Sequence, residues 1–114
     1  MIKKILIALA IVLVLIQFIR PAKNDAGGVV YSIPTDYNVP PEVNVILKPA
    51  CLDCHSNVTH YPWYSNIQPA AWFLANHVKE GKEHLNFSEF TNRRIAYQHH
   101  KFEEIVEMVK EKEM

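Results

Sequence analysis

The chain opens with a run of apolar residues that a domain of this size cannot bury. It has 114 residues and begins MIKKILIALAIVLVLIQFIRPAKN, in which residues 5–16 are all apolar and Arg20 and Pro21 end the run. A helix that is apolar on every side needs a bilayer or a large protein around it. The sequence therefore predicts a transmembrane signal anchor over residues 1–20 rather than a helix of a compact core.

The flanks of this segment favour an uncleaved anchor. A cleaved signal peptide has an apolar stretch of roughly 7–15 residues followed by a small-residue cleavage site, whereas QFIRPAK places bulky and charged residues there. A spanning helix needs roughly 17–25 residues, so the segment lies at the short end of that range. Because Lys3 and Lys4 precede the run, we expect a cytoplasmic N-terminus.

A linker is predicted over residues 21–38. This stretch contains two adjacent glycines and two prolines, and it has no sustained hydrophobic period, which is typical of an extended tether. Within it, VVYSI at residues 29–33 has the composition of a short strand, but no partner strand is apparent.

The remaining chain shows the hydrophobic period of helices and little sign of strands. Pro40 and Pro41 are typical of a helix start, and PEVNVIL predicts two turns that Pro49 interrupts. A second helix is predicted over QPAAWFLANHVKEG, with Pro69 in its first turn and Gly81 as its stop. Its apolar residues fall on one face.

A third helix is predicted from about residue 92 to residue 112, with Thr91 or Ser88 as its cap. Its apolar residues follow the 3.6-residue period from Ile95 to Val109. The three helices give residues 39–114 a mostly α fold. A domain of this size is marginal for an apolar core of its own, so another component is expected to complete it.

Cys51, Cys54 and His55 form the pattern C-x-x-C-H and include the only two cysteines of the chain. Two thiols three positions apart lie on one turn of helix, where both can add to the vinyl groups on one edge of a porphyrin. The imidazole of the next residue can then ligate the iron. The pattern predicts one covalent c-type haem in a small cytochrome c-like helical domain, with thioether bonds to both cysteines and His55 as a ligand.

Other uses of this cysteine pair are less consistent with the sequence. A structural zinc site needs four ligands, and a single C-x-x-C leaves two to come from histidines that lack the usual paired spacing. A thioredoxin-type redox pair requires a βαβ context, of which there is no sign. A disulfide across two intervening residues would hold little together. The histidines outside the motif are His60, His77, His84, His99 and His100.

Three aromatic residues follow the motif closely, at Tyr61, Trp63 and Tyr64. Their side chains are candidates for packing against the haem edge or donating hydrogen bonds to its propionates. Ordinary packing in a small core is an equally good interpretation of each one.

The chain resembles the small bacterial haem-binding domain family of membrane-anchored or exported monohaem c-type proteins. The resemblance covers QFIRPAKN, CLDCHSNVTHYPWYSNIQP, AWFLANHVKEGKEHLNFSEF and KFEEIVEMVKEKEM, and the most distinctive part is C-x-x-C-H-S-N followed by P-W-Y-S. It implies thioethers at Cys51 and Cys54 and an iron ligand at His55. Met114 matches the methionine of the family's Met-Pro pair, and the family continues into a further helix, so this sequence resembles a member shortened at its C-terminus.

The resemblance makes Met114 the first candidate for the sixth iron ligand. A thioether ligand raises the reduction potential relative to a second imidazole. His77, which also matches a family position, is the imidazole alternative, while Met108 is more consistent with packing. His99 and His100 are adjacent on one helix, so at most one of them can face a haem.

These features predict an electron carrier at the outer, periplasmic face of a bacterial cytoplasmic membrane, with no enzymatic activity of its own. Haem attachment to C-x-x-C-H takes place outside that membrane, which places the domain on that side. A haem-based sensor and a peroxidase-like enzyme are the alternatives, and an open sixth position would favour them. The 12 basic and 12 acidic residues balance, which excludes the basic surplus typical of nucleic-acid binding. The membrane and unidentified redox proteins are the expected partners.

Overall fold

The computed structural model describes residues 1–27 and 33–114, and its regular structure is helical. A single antiparallel bridge between Asp25 and Val58 is the β pairing found within those ranges. The prediction of a mostly α fold is confirmed. Of the possible strand VVYSI, only Ile33 lies in the described residues, and it begins a helix. The α-helices are α1 (Ile2–Ile16), α2 (Ile33–Asp36), α3 (Pro41–Leu47), α4 (Ala70–His84) and α5 (Ile95–Glu111).

Helix α1 is apolar and exposed, and it is shorter than predicted. Every side chain from Met1 to Leu15 is exposed. The helix ends at Ile16 rather than near Arg20. The backbone amide of Gln17 donates to the Val14 carbonyl at 3.2 Å, while its side-chain amide donates to the Leu13 carbonyl at 2.9 Å. Throughout residues 1–27 and 33–114, no helix combines the length and the apolar character needed to cross a membrane. The structure thus has a 15-residue apolar helix where a transmembrane helix was predicted.

The first part of the predicted linker packs against the domain instead of forming a free tether. The Asn24 backbone amide donates to the Tyr61 hydroxyl at 2.8 Å, and its side-chain amide donates to the Ser56 carbonyl at 2.8 Å. The Thr59 amide donates to the Asn24 carbonyl at 3.1 Å. Lys82 donates to the Asn24 side-chain oxygen at 2.7 Å. Asn24 therefore ties the start of this segment to the loop after the cysteine motif.

A small aromatic and aliphatic core lies between α2, α5 and the loop after α4. Phe90 is its most buried member, at 1% exposed, and its ring centroid lies 5.1 Å from that of Phe102 on α5. Cys51 and Leu52 pack at the edge of this core, so the cysteine motif is continuous with it. The buried members are Ile33, Leu85, Phe87 and Phe90.

The sequence predicts that Pro49 interrupts the helical path after α3. In the structure, the path continues past Pro49 as a π-helical turn over Lys48–Leu52. Proline lacks the amide that the α-helical ladder needs, and the wider π turn carries the chain past it. The His55 amide then donates to the Cys51 carbonyl at 2.9 Å, which extends the helical path to the motif's histidine.

Helix α4 buries the predicted face, with Ala71 and Val78 in the interior. Gly81 was predicted as its stop, and that prediction is wrong, because the helix runs on to His84. Gly81 instead permits a close approach to the cysteine motif, since a Cβ there would lie 2.9 Å from the Cys54 carbonyl oxygen.

Helix α5 begins at Ile95, later than predicted, because the residues before it bond elsewhere. The predicted cap Thr91 donates its hydroxyl to the Asp36 carboxylate of α2. Gln98 is buried and donates to the Arg93 carbonyl at 2.7 Å while its oxygen accepts from the Tyr37 hydroxyl at 2.6 Å. Contacts with α2 and with Tyr37, the residue after α2, therefore fix the start of α5, and a local cap does not.

Candidate functional site

The two cysteines lie side by side as free thiols at the end of the π-helical turn. Both are half-buried. Burial, and then the neighbouring Cys54, raises the pKa of the Cys51 thiol, while burial and then the Asp53 charge raise the pKa of the Cys54 thiol. Both groups are therefore protonated at neutral pH. Within the described ranges, no three His, Cys, Asp or Glu side chains are grouped to hold a metal ion.

The imidazole of His55 is held in one tautomer by two backbone carbonyls. Its Nδ1 lies 2.8 Å from the Gly81 oxygen and 3.1 Å from the Leu85 oxygen. Carbonyl oxygens only accept hydrogen bonds, so Nδ1 carries a proton and Nε2 is the nitrogen that can offer a lone pair to a metal. A hydrogen bond of this kind behind a histidine orients the ring and strengthens the other nitrogen as a metal ligand.

The backbone around His55 is fixed as firmly as its ring. The Phe87 amide donates to the His55 carbonyl at 2.7 Å, and the Phe87 ring meets the imidazole edge-on at 6.4 Å between centroids. On the other side, a Cβ added at Gly81 would lie 3.5 Å from His55 Cε1. The C-terminal turn of α4 and the loop after it therefore hold His55 in place.

The Ser-Asn pair after the histidine belongs to the same support. Ser56 is buried and donates to the Val58 carbonyl at 2.8 Å. The Asn57 amide donates to the Ser88 hydroxyl at 3.0 Å, and its side-chain oxygen accepts from Asn86 at 2.9 Å. These bonds join the motif to the loop after α4, which explains why the chain needs small polar residues directly after His55.

Replacing Gly81 with alanine is expected to destabilise the protein and disturb His55. The added Cβ meets a backbone carbonyl, which cannot rotate away, so α4 must shift and lengthen the Gly81–His55 hydrogen bond. Overpacking of this kind costs about 1–3 kcal/mol, which outweighs the gain of about 1 kcal/mol in helix propensity. The free energy of unfolding from a urea titration measures the effect.

The matched control is Glu83→Ala on the exposed side of the same helix. It is expected to change the free energy of unfolding by no more than about 0.5 kcal/mol. A Gly81→Ala protein as stable as the parent would show that the close approach is not required.

A cavity of about 430 Å³ opens beside His55. Its volume lies within the range of roughly 300–1,000 Å³ that is usual for cofactor pockets. The cavity brings His55 together with Met108 and Met114, although these residues are far apart in sequence. Its lining comes from the cysteine motif, from the end of α4 and the residue after it, and from α5 and the residues after that helix. The lining residues are His55, His84, Leu85, Lys101, Glu104, Ile105, Glu107, Met108, Glu111, Glu113 and Met114.

The turn after α5 returns the chain to this cavity. Lys112 has a φ of 58°, the left-handed conformation that ends many helices. The Glu113 amide then donates to the Met108 carbonyl at 3.0 Å. This turn places Met114 in the same cavity lining as His55.

The structure does not bring the other histidine candidates to this cavity. His77 is exposed and stacks on Phe73, with 6.5 Å between ring centroids. His99 and His100 are both exposed, and they lie 3.7 Å and 3.5 Å from the carboxylates of Glu103 and Glu104. The favoured sequence candidate Met114 therefore lines the cavity, and these three histidines do not.

Two features of the lining could not be found from sequence patterns. His84 lines the cavity, although the sequence offers it only as a possible zinc donor. Lys101 and Glu104 form an ion pair at 2.5 Å on the same lining, and the hydrogen bond from Lys101 lowers the pKa of Glu104. Their i,i+3 spacing on α5 is typical of any exposed helix face, so only the fold marks them as part of the site.

The three aromatic residues proposed for the haem edge lie elsewhere. None of them belongs to the cavity lining around His55. The Tyr61 hydroxyl accepts a hydrogen bond from Asn24, while Trp63 and Tyr64 are exposed and meet edge-on at 5.8 Å between ring centroids. The short 3₁₀ turn Trp63–Asn66 directs both side chains outward.

The site thus combines a histidine of fixed orientation with a cavity of cofactor size in a small helical domain. The sequence profile of the haem-binding domain family matches residues 11–114. The chain therefore belongs to that family, which confirms the resemblance seen in its motifs. Searches of curated proteins and of solved structures gave no match.

Proposed function

We propose that this protein carries one covalent c-type haem and transfers electrons at the outer face of a bacterial cytoplasmic membrane. The observation that supports this most strongly is the double hydrogen bond from His55 Nδ1 to the Gly81 and Leu85 carbonyls. It makes Nε2 the nitrogen that can bind a metal, in a C-x-x-C-H pattern whose two thiols are free.

The residues of the site suit a haem. Cys51 and Cys54 would hold it by thioether bonds, and His55 would ligate its iron through Nε2. When bound, a haem supplies a centre that takes up and releases single electrons. Leu85 and Ile105 line the cavity with apolar surface that excludes water from the centre.

The cavity lining favours a carrier over the alternative functions. Met114 and Met108 offer soft thioether sulfurs there, and an iron held by His55 and by one of these sulfurs would have no position left for a substrate. A peroxidase uses a distal arginine and histidine to assist O–O cleavage, and among the described residues that line this cavity there is no arginine. We therefore assign Met114 as the sixth ligand and electron transfer as the function.

The exposed apolar helix supports the membrane location. A long exposed apolar surface on a soluble protein marks a site of interaction with a membrane or another protein. The exposed side chains of α1 form such a surface on every side of the helix, a pattern that suits lipid better than a protein groove. Insertion of residues 1–20 into the bilayer would keep the haem domain at its surface.

Met114→Ala tests the assignment of the sixth ligand. In the oxidised, haem-loaded full chain, we expect a sulfur-to-iron charge-transfer band that this substitution abolishes, with conversion to high-spin iron. The reason is that the left-handed turn at Lys112 returns Met114 to the cavity beside His55. Absorption spectra of the two proteins measure the change.

Met108→Ala is the matched control, because Met108 lines the same cavity. It should retain the band, and His77→Ala should retain it too. A band that survives in Met114→Ala contradicts the assignment. If the reduced parent protein binds carbon monoxide as readily as Met114→Ala does, the site is open and the sensor function is the better one.

A further inference from the structure

The end of α1 is held firmly against the start of α4. The Gln68 amide donates to the Gln17 side-chain oxygen at 2.9 Å, and the Gln68 side chain donates to the Ile19 carbonyl at 2.6 Å. The Trp72 indole donates to that same carbonyl at 3.0 Å. Gln68 is buried, so its own two bonds are partly shielded from water, whereas the bond from Trp72 is exposed. The surface beside this junction therefore has a fixed position relative to α1.

That surface is apolar and exposed. Trp63 and Phe73 are 76% and 79% exposed, and Tyr64 and Ile67 are exposed beside them. We call these four residues the aromatic corner. Residues 61–78, which contain the corner, include no Asp, Glu, Lys or Arg. An uncharged surface of this kind can leave water without the cost of desolvating an ion.

We infer that the aromatic corner rests on the lipid surface of the membrane that α1 enters. This inference rests on the proposed insertion of α1 and extends it from the anchor to the folded domain. Tryptophan and tyrosine prefer the interface between lipid and water, and Arg20 and Lys23 follow α1 where they can meet anionic headgroups. Phe18, which follows α1 and precedes the bonded carbonyl of Ile19, is also exposed.

The consequence is a haem domain with a fixed orientation instead of one on a loose tether. The corner lies at the start of α4, and the cavity of His55 lies at its other end. From Trp72 to Leu85 the helix rises roughly 20 Å at about 1.5 Å per residue. The cavity therefore lies at the end of α4 remote from the lipid contact, where a redox partner in the periplasm can approach it.

Photo-crosslinking of the haem-loaded full chain in vesicles of phosphatidylethanolamine and phosphatidylglycerol tests this contact. The photoreactive residue p-benzoylphenylalanine replaces Trp63, Phe73 or, as a control, Ile95, which is 82% exposed at the start of α5. After illumination, mass spectrometry should find lipid adducts at positions 63 and 73 and none at position 95. A haem absorption spectrum that matches that of the parent protein shows that each variant is folded.

Three outcomes would overturn the inference. Equal lipid labelling at all three positions, or no labelling at 63 and 73, means that the corner does not rest on lipid. Crosslinks from position 63 to a second copy of the chain mean that a protein covers it. Flotation of the same samples distinguishes a failure of the lipid contact from a failure of the membrane anchor. Protein that floats with the vesicles but carries no lipid adducts has the anchor and lacks the contact. Protein that does not float contradicts the anchor as well.

Discussion

Cys51→Ala combined with Cys54→Ala is expected to abolish all covalent retention of haem. The two thiols are the only ones in the chain, and each supplies one thioether bond. Protein matured with a haem-lyase system should keep its haem through acid–acetone extraction and on a denaturing gel, whereas the double variant should lose it completely. A haem stain of that gel measures the difference.

The single cysteine variants and His60→Ala complete this experiment. Each single variant should keep a reduced amount of covalent haem, because one thioether remains possible. His60 lies on the same loop, where its Nδ1 is 2.9 Å from an Asp53 carboxylate oxygen, and its replacement should leave retention unchanged. Double-variant protein that still stains for haem would contradict attachment at these thiols.

His55→Ala is expected to keep the covalent haem and lose the low-spin state of its iron. The thioether bonds do not depend on the imidazole, but the ligand nitrogen is removed. Electron paramagnetic resonance of the oxidised protein should show near-complete conversion to high-spin iron, and free imidazole in the buffer should partly restore the low-spin signal. Rescue by imidazole separates a lost ligand from a fold that has collapsed.

His77→Ala is the matched control for this substitution. His77 is exposed and stacked on Phe73, so its removal should leave the low-spin signal intact. If His77→Ala gives high-spin iron instead, the iron is held by two histidines and the reduction potential is expected to be lower.

The chemistry of the site could be predicted from the sequence because it depends on local spacing. Cys51, Cys54 and His55 are adjacent along the chain, and the pattern they form has few uses. The buried face of α4 follows in the same way from the period that places Ala71 and Val78 together. The family profile confirms the haem-binding domain, while the covalent bond and the electron transfer remain predictions.

What the sequence could not show depends on contacts between distant segments. Local sequence rules predict Gly81 as a helix stop, but a glycine is needed there because the Cys54 carbonyl from a distant segment lies close to it. The sequence predicts Thr91 as a cap of α5, but its hydroxyl donates to the Asp36 carboxylate instead. Asn24 lies in a stretch with the composition of a tether, and only its partners on the motif loop make it part of the domain.

The mass of the intact, denatured protein tests the central claim most directly. Protein of 13.2 kDa, matured with a haem-lyase system and washed in acid–acetone, is expected to have the mass of the chain plus one haem. Its pyridine haemochrome spectrum should show the band position of a haem with two thioether bonds. A mass equal to that of the bare chain, with the haem eluting separately, would contradict covalent attachment at Cys51 and Cys54.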